Sequence, residues 1–399
     1  MHKLPEIPRL RRNRDGADIL IVAAPDSFKG CLSAPEVCDA IADGVHDILP
    51  GARVLKIPLS DGGWGLASSL LAGRDAGWKE TSVHDPLMRP MTAGYALMPG
   101  GKTAIVEMAA ASGLALLDPD ERNPILTTTF GTGELIKAAL DAGAERIIVG
   151  LGGSATNDGG TGAAQALGVK FLDKNGRLLP PGLSGGRLRE IAAIAIEARD
   201  RRLDDSSVMA PCDVNNPLIG PDGAARVFSP QKGASPEETE RLEEGLEHLA
   251  EVICGEMGID VKTLAGGGAA GGLGAGLHAF CGARLTPGAD WFLGMAGFDS
   301  RIEGADLILT GEGRLDAQTA MGKTVSAVCR TASVKKIPVI ALAGILDGDQ
   351  EELREIGLSA AVCVNEPGIS RDAAMRRANA AIRERTAWII SELSGIEKR

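Results

Sequence analysis

IIVGLGGSATNDGGTG, Ile147 to Gly162, decides how this chain is read. A short apolar run of strand type empties into glycines interleaved with Ser154, Thr156, Asn157 and Asp158, and a helix starts in Gly162 to Gly168. Strand, tight loop, helix is the repeating step of a parallel α/β sheet. Glycine permits positive φ and close backbone approach, while small hydroxyl side chains and the first N–H groups of a helix suit an anion, so phosphate is the expected guest. A turn that needs its glycines only for sterics fits the same letters. At least five other loops of similar character favour the ligand.

Upstream, NPILTTTFGTGELIKAALDAG (Asn123 to Gly143) puts Thr129, Gly131, Thr132 and Gly133 in a polar turn before a helix that leads into the opening strand. Downstream, Asp173 to Asp205 has the composition of a surface stretch. Asp213 then follows a short apolar run, Asn215 and Asn216 come after it, and Lys232 and Gly233 precede an acidic helix from Glu237 to Glu256. An Asp in such a turn is as readily an Asx cap as a catalytic acid. GGGAAGGLGAG (Gly266 to Gly276) formally contains G-x-G-x-x-G, but no convincing strand precedes it; a helix whose small residues admit a close neighbour is the better reading.

The ends of the chain share one rhythm. Asp18 to Ala24 and Arg53 to Leu59 read as strands, the first ending at Asp26, Ser27 and Lys29, the second at Asp61 and two glycines. Ser33 and Glu36 are spaced as a capping box. From Lys79 the segments alternate and imply a mixed sheet. Strands return at Ala305–Gly313, Lys336–Gly344 and Leu358–Glu366, with Glu312, Arg314 and Asp316 after the first, and a long helix from Arg371 to Leu393 closes the chain. The expected fold is therefore α/β in two domains: a Rossmann-like parallel sheet built from residues 1–76 and 291–399, and an inserted mixed α/β domain, 77–290, with the active site in the cleft between them. AQTAMGKT (Ala317 to Thr324) misses the Walker A pattern by its first glycine.

Composition narrows the function. Fifty-three glycines beside 3% aromatics and a formal charge of −11 argue against nucleic-acid partners and leave any anion to a local cluster. Seven scattered cysteines without a C-x-x-C pair fit a reducing cytoplasm and show no zinc motif. No apolar run approaches the roughly 20 residues of a membrane span, and the basic opening residues read as a frayed tail. A homodimer is left open.

APDSFKG (24–30), DGG (61–63), RNPILTTTFGTGELI (122–136), GLGGSATNDGG (150–160), CDVNNPLIGPDGAA (212–225), PQKGA (230–234), GAAGGLGAGL (268–277) and TGEGRLDAQTAMGK (310–323) together resemble the type I glycerate kinases of bacteria, in the family's order over nearly the whole chain. The resemblance implies a two-domain enzyme that uses ATP and Mg²⁺ to phosphorylate D-glycerate, in most bacterial members at the 2-hydroxyl. Trp64 and Leu66 stand where the family usually has glutamate and threonine, and Val325 and Ala327 where it tends to have proline and glycine.

Phosphoryl transfer asks for amide-rich loops, cations, carboxylates for Mg²⁺ and a base at the attacking hydroxyl. Gly152, Gly153, Ser154, Thr156 and Asn157, with Thr132 and Gly133, are the expected nucleotide-phosphate residues. Asp26, Asp61 and Glu312 are expected to hold the metal. Lys29, Lys232 and Arg314 are candidates to clamp the glycerate carboxylate, and Asp213 is chosen over Asp316 as base. Other readings are a kinase for a related small hydroxy acid, an NAD-dependent hydroxy-acid dehydrogenase, and a non-catalytic hydroxy-acid sensor.

Overall fold

A computed structural model describes residue 10 and residues 19–60, 65–71, 77–315, 324–347 and 350–396. Asp61 and Asp316, with Trp64, lie outside the described residues. The strands are β1 (Leu20–Pro25), β2 (Arg53–Lys56), β3 (Gly77–His84), β4 (Pro90–Leu97), β5 (Thr103–Glu107), β6 (Arg146–Gly150), β7 (Lys170–Leu172), β8 (Ala193–Ala195), β9 (Ser207–Pro211), β10 (Arg284–Thr286), β11 (Leu307–Leu315), β12 (Val339–Leu346) and β13 (Ala360–Cys363). By backbone proximity they fall into two compact units. One draws on the described residues of Met1–Asp61, Ser68–Ala72 and Gly288–Arg399, the other on Gly62–Ala67 and Gly73–Pro287.

The first unit carries a five-stranded sheet in the order β13-β12-β11-β1-β2, every pairing parallel. β1 and β11 read LIVAAP and LILT at their starts and are buried on both faces, as a sheet covered by helices on both sides requires. The chain runs one way from β1 to β2 and the other way from β11 to β12 and β13, so the strand order reverses between β1 and β11. Ligands of open α/β sheets bind outside the carboxyl ends of the strands at such a reversal. The helix Ala34–His46 begins in the expected capping box, Ser33 with Glu36, and packs its Val37, Ile41 and Val45 with Ile382, Ile389 and Ile390 of the final helix, Arg371–Ser394.

The second unit has a six-stranded sheet, β10-β9-β6-β5-β4-β3, parallel from β10 to β5 and antiparallel beyond. Asp173 to Asp205 is no mere surface stretch: β7 and β8 pair within and beside it, and Leu179, Leu183, Leu188 and Ile191 enter the core with Phe171. Its many polar residues hid a widely spaced apolar set. No helix among the described residues is long and apolar enough to cross a membrane.

Candidate active site

At the strand reversal of the first unit, Pro25 pairs with Gly311, and the Asp26 N–H donates to the Gly311 carbonyl at 2.8 Å. Asp26 and Glu312 therefore stand level on neighbouring strands. Asp26 is buried; its carboxylate accepts from the Ser27 N–H at 2.6 Å and from the Thr324 hydroxyl at 2.9 Å. Ser27, Lys29 and Arg314 line the same cavity, of about 1340 Å³, as these two acids. Lys29 is exposed, and Arg314 pairs with Asp347 at 3.1 Å. Two carboxylates and two cations thus meet around one cavity at the carboxyl edge.

The carboxyl edge of the second unit carries a different set. Glu107 pairs with Gly150 across β5 and β6, and β9, parallel to β6, ends at the same edge with Pro211, two residues before Asp213. Asp213, half-buried, thus lies at the carboxyl edge of this sheet, as does the loop that follows β6. Glu107 was not singled out from sequence. Its carboxylate accepts from the Gly65 and Ala67 N–H groups at 3.2 and 2.8 Å, and burial pushes its pKa up. The available signal was the one that marked Asp26, an acid at the end of an apolar strand.

The Gly-rich loop divides in two. Gly152, Gly153 and Ser154 reach solvent, with Gly153 at φ +78°, whereas Ala155 to Gly162 are buried. In the inner half the Asp158 carboxylate, fully buried, accepts from the Thr129 N–H and hydroxyl at 2.8 and 2.7 Å and from the Gly160 and Gly162 N–H groups at 3.1 and 3.2 Å. It ties together the starts of the helices Phe130–Asp141 and Thr161–Ala166. Thr132 and Gly133 are interior: the Thr132 hydroxyl donates to Ser112 at 2.7 Å, and a Cβ on Gly133 would lie 2.3 Å from the Ala163 carbonyl oxygen. The structure gives both a packing role. Thr156 Oγ1 and the Asn157 amide are buried and find no hydrogen-bond partner among the described residues, so this half retains polar capacity its packing does not use.

Lys232 does not present its ammonium to a substrate carboxylate. It is 2% exposed, and its Nζ donates to the Thr156 carbonyl at 2.7 Å, supporting the loop from behind. A lysine beside glycines reads as solvated or anion-binding from sequence alone; its burial comes from residues far along the chain. Burial pushes its pKa down to about 7, against the opposing pull of Asp158. The depressed value has a definite sign. Between about pH 7 and the ordinary lysine value the unfolded chain holds a proton that the folded one has lost, so this residue stabilises the fold as pH rises, and its penalty is complete below pH 7. Replacing Lys232 by Met is expected to remove that dependence: the difference in unfolding free energy between native and variant protein should change by roughly 2 kcal/mol between pH 7 and 9, in favour of the native chain at the higher pH. Urea titrations at both pH values measure it, and a difference that does not change with pH would refute the buried-amine assignment.

Comparison with known proteins places the chain in a family. A family model described as "Glycerate kinase family" matches residues 21–394. A glycerate kinase of Bacillus subtilis (strain 168) is 44% identical over 92% of this chain and 95% of its own length. A glycerate 2-kinase of Escherichia coli (strain K12) is 44% identical over 86% and 90%. A crystal structure assigned to glycerate kinase 2 from Salmonella typhimurium LT2 superposes with a TM-score of 0.81 at 42% identity, covering 94% of this chain and 98% of that one.

Proposed function

The chain belongs to the glycerate kinase family, and from that premise we propose that it transfers the γ-phosphoryl group of ATP to the 2-hydroxyl of D-glycerate. The observation that carries the reading is the cluster at the strand reversal, where Asp26, Glu312, Lys29 and Arg314 surround one cavity. Lys29 and Arg314 meet anionic substrate groups. The oxygen donors of Asp26 and Glu312, level on adjacent strands, fit Mg²⁺, which is commonly held by one or two carboxylates with phosphate and water completing its octahedron. When bound, the ion would neutralise charge on the phosphate oxygens.

Asp213 is assigned the proton. Its carboxylate takes the hydrogen of the attacking hydroxyl, the hydroxyl oxygen bonds to the γ-phosphorus, the bond from that phosphorus to the bridging oxygen breaks, and ADP leaves. Gly152, Gly153 and Ser154 offer backbone to the transferred group where a Cβ would hold it off. Glu107 anchors Gly65 and Ala67 at the same edge of the unit.

A coupled assay tests the whole reading. Purified protein with MgCl₂, ATP and D-glycerate is expected to release ADP, and phosphorus NMR of the product to show the ester at carbon 2. No ADP above background with D-glycerate or any other three- or four-carbon hydroxy acid overturns it. A 3-phosphoglycerate signal would overturn only the regiochemistry.

A further inference from the structure

The cavity that begins at Asp26, Lys29, Glu312 and Arg314 does not end there. It passes the carboxyl ends of β12 and β13 and continues between β13 and the helix Arg371–Ser394, where Val362, Met375, Ala378 and Trp388 form its walls. We infer that this apolar arm is the slot for the adenine base of the nucleotide, whose phosphates point back to the strand reversal. The inference rests on the kinase reading above and deepens it.

The slot exists for a local reason. Both walls present alanine, Ala360 from the strand, on the face it shares with Val362, and Ala374 and Ala378 from the helix. The helix cannot close the gap, because Ile382 and Ile389, which share its inward side with Ala378, are held with Ile390 and Leu393 in the core formed with the helix Ala34–His46 and fix its distance from the sheet. Protein interiors are otherwise close-packed, and an apolar hollow left unfilled destabilises its surroundings in proportion to its size. Small residues on both sides of one hollow leave room for a guest.

The chemistry of the lining identifies it. One end is polar and doubly cationic; the other sets Val362, Met375, Ala378 and the Trp388 indole beside the charged Glu366, Arg371 and Arg385, and the Arg385 guanidinium lies 5.6 Å from the centre of that indole. A ligand matching this sequence of surfaces is a flat apolar-faced ring joined to a polyanion. A volume of about 1340 Å³ exceeds the 300–1,000 Å³ of ordinary small-ligand pockets and has room for both parts of a nucleoside triphosphate. Glycerate alone is too small and too polar to need the apolar arm.

The test fills the slot. Ala378→Trp and, from a less buried position on the same helix, Ala374→Phe are titrated by calorimetry with MgATP and with magnesium tripolyphosphate, which has the anion without the base; circular dichroism and thermal unfolding establish that each is folded. At least a tenfold weaker ATP affinity in a folded variant, with tripolyphosphate affinity within twofold of native, is the expected result. ATP affinity within twofold of native in both folded variants overturns the inference, as does an equal loss for both ligands or a native protein that does not bind ATP. Native protein that binds ATP, loses it on Ala378→Trp and yet phosphorylates no hydroxy acid upholds the slot and overturns the glycerate kinase reading.

Discussion

Asp213→Asn is expected to lower the turnover of glycerate at least about a hundredfold, with ATP affinity unchanged and the unfolding midpoint within about 4 °C of native. A positioned base contributes typically 10²–10⁴-fold, roughly 3–5 kcal/mol of barrier. Asparagine has nearly the shape of aspartate and keeps an acceptor oxygen, so a residue that merely caps the turn before Asn215 and Asn216 would tolerate the change. It cannot take up the hydroxyl proton. Asp213 follows β9 at the carboxyl edge of its sheet, the edge at which the parallel β6 gives way to the Gly-rich loop, and this placement separates it from the many acids of the surface. A folded variant retaining more than about a tenth of native kcat would sink the assignment. A loss of ATP binding alongside turnover would move Asp213 from proton transfer to nucleotide binding.

The largest effect on stability is expected from Gly271→Ala. Gly271 has φ +68°, where side chains are rarely found, and a Cβ there would lie 1.9 Å from the Thr156 carbonyl oxygen and 2.6 Å from the Asn157 Cα. Both are backbone atoms of the buried half of the Gly-rich loop, whose Gly159 N–H donates to the Gly271 carbonyl at 3.0 Å. No side-chain rotation relieves such an overlap, so either the loop or the helix Ala269–Cys281 must shift, and a loss of about 4 kcal/mol or more is expected. Gly255→Ala serves as the opposite case. Gly255 is exposed within the helix Pro236–Met257 with nothing within 4 Å of its added Cβ, and the variant should gain about 0.5–1 kcal/mol from helix propensity alone. Urea unfolding of the two variants beside native protein decides the matter; Gly271→Ala within 1 kcal/mol of native would show that the two glycine-rich segments do not pack as described.

The G-x-G-x-x-G pattern at Gly266 to Gly276 thus serves the approach of two backbones. Its helix contains a left-handed turn at Ala270, Gly271 and Gly272, which lets the chain pass the loop before the regular helix sets in. The letters allowed close approach to a ligand or to another backbone, and nothing local distinguishes the two. Only Thr156, more than a hundred positions away, does so.

What the sequence determined by itself is the alternation of buried apolar runs and helices, the recovery of that rhythm after residue 300, and hence an α/β fold whose parallel sheet is made from both ends of the chain. The capping box at Ser33 and the position of Asp26, Glu312 and Arg314 at a carboxyl edge were legible for the same reason: periodicity, caps and strand ends are properties of neighbouring residues. The tertiary structure alone decided that Lys232, 76 positions from Thr156, is buried against its carbonyl. It also decided that Asp158 ties two helix starts together, that Glu107 holds Gly65 and Ala67, and that alanines on β13 and the last helix face one hollow. A polar or small residue has the same identity whether it meets solvent, ligand or backbone, and which of these it meets is set by segments that only folding brings beside it.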